Sequence, residues 1–252
     1  RDRSVSRGLG DVYKRQMLAS AKAISEAQAT ERAKELFEGY KPANMRLTGK
    51  TENKNFALYN FEFEDGKGRN YFAQLTERGG YLALFDSFEV CKEHNYDADT
   101  CIRIAEKFLA KCGYEGMKPV WSSEAGTECT VNFAYEQEGV IVYPDMIKVK
   151  VCEEKGAVTG LEAHSYLANH TERSIGGASV SMSRVKANAE ARMDEVHGVR
   201  RALIEADGEE LLTYEIAGEF GGRTYYAYID AKTGDTVEIF VVVGTDRGKA
   251  II

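Results

Sequence analysis

In DADTCIRIAEKFLAKCGY, residues 97–114, apolar side chains fall at Cys101, Ile104, Ala105, Phe108, Leu109 and Cys112. Spacings of three and four put them on one side of an α-helix, whereas a strand would alternate. Asp97 stands where a carboxylate can accept from the first free helical amides, and Gly113 where a left-handed residue can end the helix. The terminator recurs: Gly39-Tyr40 lies 74 residues before Gly113-Tyr114. It closes a helix that opens at Ser25, with Gln28 completing a capping box and Ala29, Ala33, Leu36 and Phe37 on one side. A third, weaker helix opens around Ser181, includes Val185, Ala189 and Met193, and stops near Gly198.

Each helix is followed by four β-rich segments. The first set is Met45–Lys50, Phe56–Glu64, Arg69–Thr76 and Tyr81–Phe85, with turns at Asp65-Gly66 and Gly79-Gly80. The second is Lys118–Ser122, Cys129–Tyr135, Ile147–Cys152 and Ala157–Ala163, and the third is Val199–Glu205, Leu211–Ala217, Thr224–Asp230 and Thr236–Val242. Gly80, Gly156 and Gly234 occupy the same final turn, at intervals of 76 and 78 residues. An open sheet face needs a cover and an amphipathic helix supplies one. The expected fold class is therefore α+β: three tandem modules, each one helix packed on a four-stranded antiparallel sheet. Their bounds are 17–90, 91–174 and 175–243, with 244–252 as a C-terminal tail. Modules this small gain core by packing on one another, which favours a fixed row.

Residues 1–16, RDRSVSRGLGDVYKRQ, carry no apolar periodicity. Asp11–Gln16 can be written in codons that resemble a transposase end used in sequencing libraries, so the segment is read as a translated adaptor artefact or disordered tail. It holds five Lys/Arg and two Asp of the chain's 33 and 40, so the remaining charge is −10 instead of −7. A body this acidic argues against nucleic acid as a partner. The longest obvious apolar run, Ile239–Val243, is far short of a membrane span, and no membrane contact is expected of this segment. Cysteines at 91, 101, 112, 129 and 152 show neither CxxC nor a Cys/His cluster, so no metal is expected. Cys101 and Cys112 stand too far apart along one helix to bridge, while a pairing of Cys129 with Cys152 on neighbouring strands is left open.

Two places hold residues suited to chemistry or recognition. In GAVTGLEAHSYLANHTER, residues 156–173, His164 and His170 are six apart and fall on different faces of any helix, so they cannot share a metal. Leu161, Tyr166 and Leu167 read as buried there. In GVIVYPD, Gly139–Asp145, the proline interrupts the strand ladder, and the loop either presents Tyr143 to a partner or packs Tyr143 and Pro144 at the sheet edge. No HExxH, GxSxG or phosphate loop occurs, so no catalytic or cofactor-binding residue is assigned. The partner-binding candidates are Tyr143, Pro144, Asp145, His164, Tyr166 and His170.

FAYEQEGVIVYPDMIKVKVCEEKGAVTGLEAHSYLANHTER, residues 133–173, with RGGYLALF before it and FGGRTYYAYIDAKTGDTVEIF after it, resembles the C-terminal PepSY-repeat region of the YpeB spore germination family. The likeness covers roughly residues 17–243; the cysteines and the third helix depart from it. The resemblance implies a non-enzymatic protein of the endospore, on the exported side of the inner spore membrane. Members usually carry an N-terminal membrane segment, and this sequence reads as a C-terminal half. The implied partner is the spore cortex-lytic enzyme, a peptidoglycan hydrolase that such a protein binds, stabilises and inhibits until germination; no cofactor is implied. The alternatives are a PepSY-type protease inhibitor or propeptide-like chaperone and, less favoured, a peptidoglycan hydrolase, whose acid/base pair would be defined only in space.

Overall fold

The computed structural model describes residues 16–245 and 248–251, so residues 1–15 of the proposed adaptor stretch lie outside the described residues. The helices form where the caps predict. In α2 (Glu26–Phe37), which follows the short α1 (Gln16–Ser20), the Gln28 amide donates to Ser25 Oγ and the Ser25 amide donates to Gln28 Oε1. Asp97 accepts from the Thr100 amide at the start of α3 (Ala98–Cys112), and Gly113 ends it with φ +86°. Between α4 (His164–Asn169) and the next strand, α5 (Met182–Glu190) begins on Ser181. It ends before Met193, which was expected inside it and instead packs beyond its last turn.

Thirteen strands among the described residues join in one sheet. The first group is β1 (Arg46–Glu52), β2 (Ala57–Glu64), β3 (Asn70–Thr76) and β4 (Leu82–Asp86). The second is β5 (Met117–Ala125), β6 (Glu128–Gln137), β7 (Val140–Cys152) and β8 (Ala157–Glu162). The third is β9 (Glu195–Ala206), β10 (Glu209–Phe220), β11 (Arg223–Asp230), β12 (Thr236–Thr245) and β13 (Gly248–Ile251). Neighbours within a group are antiparallel. The expected C-terminal tail contains β13, because the outer edge of β12 is free to take another strand.

The groups are not separate sheets. β4 and β8 pair antiparallel, Phe85 facing Leu161, with Leu84 opposite Glu162 and Asp86 opposite Gly160. The Ser87 amide donates to Thr159 O and the Ala163 amide to Ala83 O, so the contact reads alike from either side. The helix-end tyrosines repeat the exchange. Tyr40 Oη donates to Val158 O of β8, and Tyr114 Oη donates to Leu82 O of β4, both at 2.7 Å. These relations define a local pseudo-twofold axis between the first two groups, and one continuous core under α2, α3 and α4 covers both. The third group joins differently: Val140–Val142 of β7 run parallel to Arg201–Leu203 of β9. Its own core, around Val185, Ala189, Tyr214 and Ile216, is separate and smaller.

One local device occurs three times. Gly80, Gly156 and Gly234 have φ of +64°, +59° and +82°, and each amide donates to the carbonyl four residues back. The carbonyls of Glu77, Glu153 and Ala231, three residues before each glycine, accept from the amides of Ile24, Tyr96 and Val180, which directly precede the helix caps. Each turn is thus clasped to the entry of its helix.

One further expectation needs correction, and the open cysteine pairing is decided. The strand expected at Ile147–Cys152 begins at Val140, and Pro144 lies within it. Its pairing with β6 jumps from Ala134↔Met146 to Tyr135↔Val142, leaving Tyr143, Pro144 and Asp145 in a bulge where a residue without N–H loses no ladder bond. The disulfide joins Cys91 to Cys152, and Cys129 is a free, buried thiol. Cys129 and Cys152 do sit on adjacent strands, but Cys129 is paired with Val151 and Cys152 with Glu128. Burial pushes the Cys129 thiol up to about 12.

Candidate functional site

The bulge in β7 and the segment after α4 bring five of the six candidate residues together at the joint between the second and third groups. Pro144 cannot donate to β6, so the chain swings out and returns with Asp145 fully buried. Arg173, whose side chain is 6% exposed, meets it there. The Arg173 Nη1 and Nη2 donate to Asp145 Oδ2 and Oδ1 at 2.8 and 2.9 Å, while Nε and Nη2 donate to Glu210 Oε2 and Oε1 at 2.9 Å each. One guanidinium therefore clamps a carboxylate on β7 to a carboxylate on β10. Desolvation opposes its charge, yet Glu210 and Asp145 together hold it more firmly protonated than a free arginine. Gln137 fixes the Arg173 backbone, accepting from its amide and donating to its carbonyl.

His170 completes the inner face of this clamp. Its Nδ1 lies 2.7 Å from Asp145 Oδ2, and its ring is stacked on Tyr166 at 4.3 Å and edge-on to Tyr135 at 4.6 Å. Tyr166 is buried, and burial raises its pKa above the ordinary tyrosine value. The Pro144 carbonyl accepts from Asn169 Nδ2 at 3.1 Å. Beside the clamp, the Tyr143 hydroxyl bonds Glu215 of β10, which also accepts from Arg200 Nε at 2.9 Å and from Tyr228 Oη at 3.3 Å. Desolvation, then the Glu215 charge, drives the Tyr143 pKa up.

His164 stands apart from the other five. It lies beside Glu162 of β8, Nδ1 to Oε1 at 3.0 Å, with its ring against Phe56 at 5.9 Å. The His164 hydrogen bond is the main reason the Glu162 carboxyl titrates below its usual value. The two histidines are thus held by different carboxylates. Among the described residues no group of three or more His, Cys, Asp or Glu is placed to hold a metal.

The geometry is one of internal pairing. The imidazole of His170, the phenol of Tyr143 and the carboxylates of Asp145, Glu210 and Glu215 all pair within the chain, and none lines the cavities of about 480 Å3 beside Phe88 or about 380 Å3 beneath α5. Sequence reasoning missed Arg173, Glu210, Arg200 and Glu215. Arg173 ended the quoted junction in plain view, but its carboxylates are 28 and 37 residues away, and no helical or strand spacing announces such a pair.

The comparisons with known proteins match this architecture. A family model described as "YpeB sporulation, PepSY1 and PepSY2 domains" covers residues 11–176, and one described as "Peptidase propeptide and YPEB domain" covers residues 179–240. A sporulation protein YpeB of Oceanobacillus iheyensis is 30% identical over 84% of this chain and 47% of its own length. One from Halalkalibacterium halodurans is 32% identical over 68% of this chain and 38% of its own, and one from Bacillus subtilis is 26% identical over 86% and 49%. The chain thus spans about half, or less, of the curated relatives it matches. The solved Bacillus megaterium YpeB C-terminal domain superposes with a TM-score of 0.80 at 25% identity, covering 87% of this chain and 98% of that one. A mixed α+β chain with one large sheet, a bulged strand locked by a buried arginine, and matches over both stretches of its length, this protein belongs to the YpeB sporulation family.

Proposed function

We propose that this chain is a non-enzymatic binding module of spore germination that holds the spore cortex-lytic enzyme, a peptidoglycan hydrolase, and keeps it inactive until germination. The observation that carries this reading is the clamp itself: the polar side chains suited to chemistry are locked in internal pairs that stiffen a long sheet. A stiff sheet with helices on it offers surface for a partner and no free nucleophile or base among these groups. The threefold recurrence of the turn-and-cap clasp supports a description as three tandem PepSY modules of one helix on four strands, with β13 added to the last. We place the chain on the exported side of the inner spore membrane, held there by a segment of the longer protein; none of the described helices is long and apolar enough to cross a membrane.

A second reading has its own support. The match at residues 179–240 is to a description shared with peptidase propeptides, which favours a protease inhibitor or folding chaperone for the third group. One experiment separates these readings. The full chain is incubated with a cortex-lytic hydrolase on cortex peptidoglycan and, in parallel, with a secreted metalloprotease. Capture of the hydrolase with suppressed muropeptide release supports the proposal. Inhibition of the protease alone supports the second reading, and muropeptides released by the chain by itself would overturn both.

A further inference from the structure

Counted from the caps Ser25, Asp97 and Ser181, the eleventh and twelfth residues of the three helices are Leu36-Phe37, Phe108-Leu109 and Arg192-Met193. The first two pairs are buried and fill the space between helix and sheet. In the third, α5 has already ended at Glu190, Arg192 is exposed and Met193 only half-buried. A groove of about 380 Å3 remains between α5 and the strands β10, β11 and β12. Val185, Ala189, Ile216 and Ile229 supply its apolar floor, and Phe220 and Ile239 stand at its lip, 55% and 60% exposed. Exposed aromatic and aliphatic side chains around an apolar hollow mark a binding surface more often than chance placement.

Charge narrows the occupant. Arg184 and Arg192 border the groove from the α5 side, and neither guanidinium has a hydrogen-bond or ion-pair partner among the described residues. In a chain of net charge −7, two unpaired arginines beside one apolar groove favour carboxylates there. We propose that the groove binds a short acidic and apolar peptide segment of a partner protein. Its Leu- or Phe-sized side chains take the place that Leu36-Phe37 and Phe108-Leu109 fill elsewhere, and its carboxylates pair with Arg184 and Arg192. The inference extends the partner-binding reading above to a specific surface, but does not depend on which protein is the partner.

Fluorescence anisotropy on the full chain tests it with a labelled, blocked Glu-Leu-Phe-Glu peptide, against Lys-Leu-Phe-Lys and Glu-Ser-Ser-Glu. The acidic apolar peptide should bind saturably and at least tenfold more tightly than either control. Ala227→Leu places a larger side chain in the groove from β11, and Arg184→Glu with Arg192→Glu reverses the charge at exposed positions. Each should weaken binding at least tenfold while leaving circular dichroism and thermal unfolding close to the parent. Absence of binding by the parent chain, or equal binding by the variants, overturns the proposal. Concentration-dependent dimerisation that Ala227→Leu abolishes also overturns it, because the occupant is then a second copy. Loss of hydrolase capture with peptide binding intact counts against the hydrolase reading and leaves the groove standing.

Discussion

Arg173 carries the heaviest electrostatic load described above, since it neutralises a fully buried Asp145 and also holds Glu210. Removing one partner of a buried pair strands the other charge, which typically costs about 3 to 5 kcal/mol. Arg173→Met should therefore lower unfolding stability by about 3 kcal/mol or more in urea titrations. Arg173→Met combined with Asp145→Leu should lose less, because the fully buried carboxylate is gone and the carboxylate that still loses its partner, Glu210, is 23% exposed and can be solvated; a larger loss in the double variant would refute the argument. Asp65 gives a second test, in acid. Burial alone would raise its pKa, but hydrogen bonds from Arg69 and the Lys67 amide outweigh it and hold the carboxyl well below the usual 3.8. A folded value below the unfolded one contributes stability that is full above the unfolded pKa and is lost as pH falls through the folded value. Asp65→Asn should thus flatten the fall of Tm with pH below about 4, as scanning calorimetry would record. The Arg173 clamp was not legible in the sequence, because partners so far apart in the chain leave no local period. The burial of Tyr166 and Leu167 was legible, because apolar side chains on a short helix already point to a covered face.

At the scale of elements, the three clasps offer a graded comparison. All three glycines hold a left-handed backbone that other residues adopt at a cost of about 1 to 2 kcal/mol. What a methyl group would meet differs: Ile24 Cδ1 at 2.9 Å for Gly80, the Tyr96 ring at 3.0 Å for Gly156 and Val180 at 3.4 Å for Gly234. Alanine at Gly80 or Gly156 should consequently destabilise more than alanine at Gly234, by urea midpoint under identical conditions. A reversed order would show that the helix entry yields more easily than the turn. Helix caps and final turns could be read in advance because Ser25, Asp97, Ser181 and the turn glycines act through bonds within four residues. The β7 bulge could not, since a proline announces a break in pairing without saying whether the strand ends or merely skips its neighbour.

For the whole molecule, the two joints differ in strength. Each is paired over three residues, but the first is antiparallel, shares one core and is crossed by Tyr40 and Tyr114, whereas the second is parallel and rests on small apolar clusters and the arginine-linked pairs. Amide hydrogen exchange should accordingly be slowest in β3, β4, β7 and β8, and the third group should open at lower denaturant, earlier still in Arg173→Met. A single coincident loss of protection across all strands would contradict this. Neither joint was visible in the sequence, which marks strands by their side chains, whereas joints are made by backbone edges. The first joint has a further consequence, for solubility. Leu82–Asp86 and Ala157–Glu162 are short apolar strands, and each shields an edge that would otherwise offer unpaired amides and carbonyls to any passing strand. Cutting the chain between the first two groups would bare both edges at once. Fragments made at that boundary should aggregate through them, so the pseudo-twofold seam also guards the folded chain against cross-β assembly.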